Sequence, residues 1–330
     1  MIYHSALDAI GNTPLIKLNK IVDQDFADIY VKFEALEPGG SIKTRTALGM
    51  IEDAEQKGLL NENSVIVECT SGNQGIALAM IGAIKGYRVI IVMPDSVSVE
   101  RRKLIAMYGA QIRLVHDEGN IGACIEKCQQ IVANTAKEDP YVFVPGQFEN
   151  PANVAAQEKT GEKIVKDLPK IDGFCSGIGT GGTLTGIGKV LKKHNPDMTI
   201  WAVEPENAAI LSGDKIGTHL QMGIGDGVIP EILDQKLYDD ICIISDELAI
   251  GMAKLLAKKE GLLCGISSGT NVAAALKLAK KLGKGKVVVT ILPDTGERYY
   301  PLHYSAKTFI GLFLSQIFST KLSQMLALNA

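Results

Sequence analysis

The six cysteines, at positions 69, 124, 128, 175, 242 and 264, are scattered along the chain and form no Cys-x-x-Cys pair. Cys124 and Cys128 stand one helical turn apart with no histidine nearby. Neither a disulfide framework nor a metal site is therefore expected, and buried reduced thiols are the reading. Charge of one sign is also lacking. Thirty-four Lys+Arg against 37 Asp+Glu leave −3 at pH 7, which advertises no basic surface for nucleic acid. The longest apolar stretch, Ile76 to Pro94, is broken by Lys85 and Arg88 and makes no membrane span. The opening Met1-Ile2-Tyr3-His4 has no basic segment followed by an apolar run, so no secretory signal is expected and a reducing cytoplasm is the default. Aromatic residues are scarce, at 5%, while 46% hydrophobic and 22% charged residues exclude disorder.

At roughly 150 residues per domain, 330 residues suggest two domains. Short β-branched runs alternate with amphipathic stretches almost throughout. Ile29–Glu34, Val65–Cys69, Arg88–Met93, Gln111–Val115, Tyr141–Val144, Gly173–Ser176, Thr199–Glu204 and Lys286–Leu292 read as strands. Several are apolar without strict alternation, as in parallel strands covered on both faces. Thr46–Lys57, Val99–Tyr108, Ile121–Ala136, Leu184–His194 and Glu247–Glu260 read as helices. Serial βαβ winding predicts an α/β protein with mainly parallel sheets flanked by helices. The best boundary visible in composition is the loop around Pro145–Asn153. The stretch Tyr304–Ala330, with Phe309, Leu312, Phe313, Ile317 and Phe318, is expected to be helical and to pack on the core. A subunit interface or a membrane surface is the alternative.

What is abundant is glycine: 34 residues, roughly 10% against a usual ~7%. These glycines concentrate where strands turn into helices. Gly177-Ile-Gly179-Thr180-Gly181-Gly182-Thr183 follows a strand and precedes a helix, so its successive N–H groups make an anion site. Gly177, Gly179 and Gly182 also fit GxGxxG, with Glu204 ending the next strand. Taken alone, this loop suits a dinucleotide and a single phosphate equally. Glu68-Cys69-Thr70-Ser71-Gly72-Asn73-Gln74-Gly75 repeats the strand–turn–helix pattern with more hydroxyls and amides than a cap requires, and it suits a carboxylate. Pro38-Gly39-Gly40-Ser41-Ile42-Lys43 places a lysine in the first turn of a helix. The positive helix end there lowers its pKa and favours it as nucleophile or base.

Together these three turns resemble the signatures of the cysteine synthase and cystathionine β-synthase family, the fold type II pyridoxal-phosphate enzymes. Gly11-Asn12-Thr13-Pro14-Leu15, Gln147-Phe148-Glu149-Asn150-Pro151-Ala152-Asn153, Cys264-Gly265-Ile266-Ser267-Ser268-Gly269 and Leu292-Pro293-Asp294-Thr295-Gly296-Glu297-Arg298-Tyr299 match as well, in family order. The resemblance implies a tryptophan synthase β-like architecture with a smaller mobile substrate-carboxylate domain at 45–145. Residues 1–44 and 146–330 would form a larger cofactor-phosphate domain with the helical tail. It implies pyridoxal 5′-phosphate in Schiff-base linkage to Lys43. The phosphate would lie on Gly179, Thr180, Gly181, Gly182 and Thr183, the 3′-oxygen on Asn73 and the ring nitrogen on Ser267. The substrate carboxylate would lie on Thr70, Ser71, Gln74 and Gln147. A neutral serine at the ring nitrogen leaves the ring a weaker electron sink than an aspartate would, which favours prompt loss of a β-substituent.

The reaction implied is β-replacement on an amino acid through an aminoacrylate, with O-acetylserine and sulfide giving cysteine and acetate. Two enzymatic alternatives are a cysteine β-lyase or hydroxyl-lyase releasing hydrogen sulfide, and condensation of serine with a thiol. A non-catalytic partner-binding relative is the remaining reading, against which Lys43, Asn73 and Ser267 argue. Three positions depart from the commonest family forms: Gln74 for threonine, Thr44 for aspartate, and Asp226, in Gly223-Ile224-Gly225-Asp226-Gly227, for a small uncharged residue. A carboxylate at 226 suits a base acting on water or a thiol. A cytoplasmic homodimer is the family expectation.

Overall fold

The computed structural model describes residues 2–70, 72–117, 121–214 and 216–299. The expected tail at 304–330 and the candidate residue Ser71 lie outside the described residues. In chain order the first half comprises α1 (Ala6–Ala9), β1 (Leu15–Lys17), β2 (Asp28–Phe33), α2 (Lys43–Gln56), β3 (Val65–Cys69), α3 (Asn73–Lys85), β4 (Arg88–Pro94), α4 (Val99–Met107), β5 (Gln111–Val115), α5 (Ile121–Glu138) and β6 (Val142–Phe143). The second half comprises α6 (Pro151–Asp167), β7 (Gly173–Gly177), α7 (Gly182–His194), β8 (Thr199–Pro205), β9 (Asp240–Ile244), α8 (Asp246–Leu255), α9 (Ile266–Leu282) and β10 (Val287–Leu292). The predicted helix Glu247–Glu260 is α8 followed by a π-helical turn, Leu256–Glu260, which ends at Gly261 in the left-handed conformation. Two compact units result, Met1–Asn12 with Leu36–Gln157 and Thr13–Ala35 with Glu158–Ala330.

The first unit holds a four-stranded sheet in the order β5-β4-β3-β6, with every pairing parallel. Its apolar strands are covered on both faces, as the lack of alternation predicts. Ile66, Val89, Ile91 and Met93 pack with Ala47 and Ile51 of α2 and Ile76 to Ile81 of α3. Val65, Val67, Ile90 and Val92 point the other way, onto Cys124, Cys128 and Val132 of α5. Each fully buried aliphatic side chain of this kind stabilises the unit by ~1.5–3 kcal/mol.

The second unit holds six strands in the order β1-β2-β10-β7-β8-β9. All pairings are parallel except β1 with β2. Helix α9 lies in the middle of its core, where Val272 through Leu276 are wholly buried with Val31, Cys175, Val288 and Leu292. The architecture is thus α/β with parallel sheets flanked by helices. The eight predicted strands are present, β6 cut to two residues. β1 and β9, not anticipated, are both edge strands among the described residues. Among the described residues no helix is long and apolar enough to cross a membrane.

Candidate active site

Lys43 is the first residue of α2 and is half-buried. The loop before it is fastened by a buried ion pair. Arg45 Nε meets Glu37 at 2.9 Å with both side chains almost wholly buried. The Glu37 carboxylate also accepts the Gly11 N–H at 2.9 and 3.0 Å, and Arg45 donates to the Gly11 carbonyl at 3.0 Å. The Gly11-Asn12 motif therefore acts here by gripping the loop that presents Lys43. No side chain caps α2, and the hydroxyls of Ser41 and Thr44 are buried without a partner among the described residues.

Glu68 faces the same side of β3 as Ile66 and is buried. Burial pushes its carboxyl up to about 8, against the opposing pull of the Gly146, Cys69 and Gln147 N–H groups and the Lys43 charge. The Gly146 N–H donates to Glu68 Oε2 at 3.1 Å, which ties the end of β3 to the turn carrying Gln147. That turn is fixed again by Asn153, whose amide donates to the Gln147 carbonyl at 2.8 Å. Thr46 of α2 donates to Asn153 Oδ1 at 3.2 Å and accepts from Gln157 at 3.2 Å. One buried network thus joins the lysine helix, the glutamine turn and β3. Sequence reasoning missed Glu68 as a site residue. The available signal was a charged residue inside the apolar run Val65-Ile66-Val67.

Asn73 and Gln74 open α3, again with no side-chain cap, and Thr70 is buried just before them. Thr70 Oγ1 accepts the Gly72 N–H at 3.3 Å. Both amide atoms of the Gln74 side chain are buried with no partner among the described residues. A buried polar group left unpaired costs ~1–3 kcal/mol, a cost that a ligand bonded at this helix end would offset. A substrate carboxylate fits it.

In the second unit the turn between β7 and α7 forms the anion cup. Gly181 sits at φ +80° at the head of α7, whose first turn carries no side-chain cap and no acidic residue. A β-carbon on Gly179 would run into the Gly223 carbonyl, and one on Gly181 would stand 2.8 Å from Leu233. Only backbone fits there, and it presents uncapped N–H groups beside buried Thr180. These features fit the phosphate of pyridoxal phosphate. The dinucleotide alternative loses its acidic partner. The Glu204 carboxylate accepts the N–H groups of Leu211 (2.8 Å) and Ser212 (3.2 Å) and the Ser212 hydroxyl (3.2 Å), so its own turn occupies it.

Ser267 is the second residue of α9 and is buried. One turn on, Asn271 Oδ1 accepts the Gly177 N–H at 2.7 Å and its amide donates to the Ile291 carbonyl at 2.8 Å, locking the Ser267 helix to the cup. The start of α9 is held by the motif that ends the described chain. Gly265 donates to the Asp294 carbonyl at 3.0 Å, and Tyr299 donates to the Asp294 carboxylate at 2.6 Å. Asp226 is exposed, and its Oδ2 lies 3.4 Å from where a β-carbon on Gly179 would stand. Five of the six cysteines are buried and Cys69 is partly so. Among the described residues no cluster of His, Cys, Asp or Glu is placed to hold a metal ion.

The profile of the family described as pyridoxal-phosphate dependent enzyme matches residues 6–294. A cysteine synthase of Staphylococcus aureus is 47% identical over 293 residues, 88% of this chain and 93% of its own. A solved hydrogen sulfide-producing enzyme from Fusobacterium nucleatum is similar with a TM-score of 0.84 at 44% identity, covering 90% of this chain and 100% of that one. A cysteine synthase structure from Entamoeba histolytica gives 0.88 at 36% identity, over 94% of this chain and 93% of that one.

Proposed function

The chain belongs to the pyridoxal-phosphate dependent enzyme family, and on that premise we propose that it is a cysteine synthase, joining sulfide to the β-carbon of O-acetylserine with loss of acetate. The observation carrying this reading is the near full-length similarity to a cysteine synthase, in a chain that has a lysine at a helix start, an amide-rich turn and a glycine cup. When bound, pyridoxal phosphate supplies an electron sink that lets the α-proton and the β-substituent of an amino acid depart.

The residues divide the remaining work. Lys43 would anchor the cofactor, and its amine, when free, would take the α-proton as general base. The backbone of Gly179, Gly181 and Gly182 and the hydroxyls of Thr180 and Thr183 would hold the phosphate. Asn73 would bond the cofactor's 3′-oxygen, and the neutral hydroxyl of Ser267 its ring nitrogen. Thr70, Ser71, Gln74 and Gln147 would hold the substrate carboxylate, and residues 45–145, which carry most of them, would form the smaller mobile domain. Lys43 then returns a proton as product leaves. The enzyme is read as a cytoplasmic homodimer.

A second reading, release of hydrogen sulfide from cysteine, is favoured by Asp226. Its carboxylate stands beside Gly179, where it suits a base on water and repels an anionic hydrosulfide. Assay of purified enzyme with O-acetylserine and sulfide, then with cysteine alone, separates the two. Cysteine formed in the first assay sustains the synthase. Sulfide appearing only in the second replaces it with the lyase.

A further inference from the structure

The segment that carries Asp226 is conformationally expensive. Gly223, Gly225 and Gly227 all lie at positive φ, at +90°, +69° and +84°, and glycine loses more freedom on ordering than any other residue. Such a turn keeps one shape only if it is tethered. On one side the Gly225 N–H donates to the Ile178 carbonyl at 2.8 Å, one residue before Gly179. On the other side stands a histidine to which neither the sequence motifs nor the proposed chemistry gives a role.

His219 is partly buried, and each of its ring nitrogens meets one backbone group. The Gln221 N–H points at Nδ1 at 3.2 Å, and the Gly225 carbonyl stands 3.0 Å from Nε2. An amide N–H only donates and a carbonyl only accepts. Nδ1 is therefore the bare nitrogen and Nε2 carries the hydrogen. The intervening Gln221 is itself anchored. It is wholly buried, its amide donates to the Ile244 carbonyl and to Asp246 at 2.9 Å each, and Thr270 donates to it at 2.8 Å. Thr270 lies on α9 one turn after Ser267. The imidazole thus bridges an anchored point near the Ser267 helix and the three-glycine turn that leans on the phosphate cup.

We propose that His219 is a positioning residue: as its Nε2–H tautomer it fastens the Gly223–Gly227 turn against the Ile178–Thr183 loop, setting the pose of Asp226 and the shape of the phosphate cup. The fastening follows from the contacts alone, whereas its effect on cofactor affinity rests on the functional reading above. Two variants separate the ring's two bonds. Glutamine places an amide donor near Nε2, and asparagine places an acceptor near Nδ1 and loses the donor.

Hydrogen exchange by mass spectrometry over residues 219–227 and 178–183 reads the tether directly, with or without cofactor. Equilibrium titration of the apoprotein with pyridoxal phosphate reads its consequence. His219→Asn is expected to speed exchange in both segments and weaken pyridoxal phosphate about tenfold, the loss of one hydrogen bond. His219→Gln is expected to restore both to within about twofold of wild type. Unchanged exchange in His219→Asn overturns the proposal, and so does equal damage in both variants. If exchange responds as stated while wild-type protein takes up no pyridoxal phosphate, the fastening stands and the functional reading falls.

Discussion

Glu68→Gln is expected to change how stability depends on pH. The carboxyl is buried beside β3, and burial raises it from 4.5 to about 8 in the fold. As pH rises past 4.5 the unfolded chain releases this proton while the folded chain keeps it. The folded state then binds more protons, so stability falls with rising pH. The contribution is complete below pH 4.5, declines through neutrality and is lost once pH passes about 8. At 1.36 kcal/mol per unit, the three units from pH 5 to pH 8 amount to about 4 kcal/mol at most. Glutamine has nearly the same shape and does not titrate. Urea unfolding of wild type and Glu68→Gln at fixed salt, from pH 5 to 8.5, measures the difference while other titrations cancel. The stability of wild type relative to the variant should drop steadily to pH 8 and then level. Parallel curves across that range would refute the buried, proton-holding assignment.

Gly179→Ala sets a methyl against the Gly223 carbonyl, a backbone atom that cannot swing aside; the cup should open and pyridoxal phosphate affinity fall roughly tenfold or more, about 1.4 kcal/mol, by the same apoprotein titration. Arg45→Met leaves the buried Glu37 charge without its guanidinium and should cost ~3–5 kcal/mol of unfolding free energy in urea melts. Asp226→Asn should leave departure of the β-substituent intact in stopped-flow traces and slow only the addition that follows, and rates unchanged from wild type in both halves dispose of Asp226 as a base.

Much of this molecule was legible in its residues because the relevant physics is local. Val65–Cys69 and Arg88–Pro94 announce buried parallel strands by being apolar on both faces. Gly177–Thr183 announces a cup because close backbone approach demands glycine in sequence. The edge strand Leu15–Lys17 was not legible, since three residues directly after a proline carry little pattern. Glu68, His219 and Asn271 were missed for a related reason. Each works through backbone groups far from it or by fixing a turn whose shape no motif states. Conversely, Gly11 and Asp294, prominent in motifs, hold other motifs in place.

The central claim is that Lys43 carries the cofactor. Borohydride reduction of the holoenzyme followed by peptide mapping tests it most directly: a pyridoxyl phosphate label on Lys43 alone is the expected result, with no label and no cofactor absorption band in Lys43→Ala. Stoichiometric label on any other lysine, or a label that persists in Lys43→Ala, would contradict it.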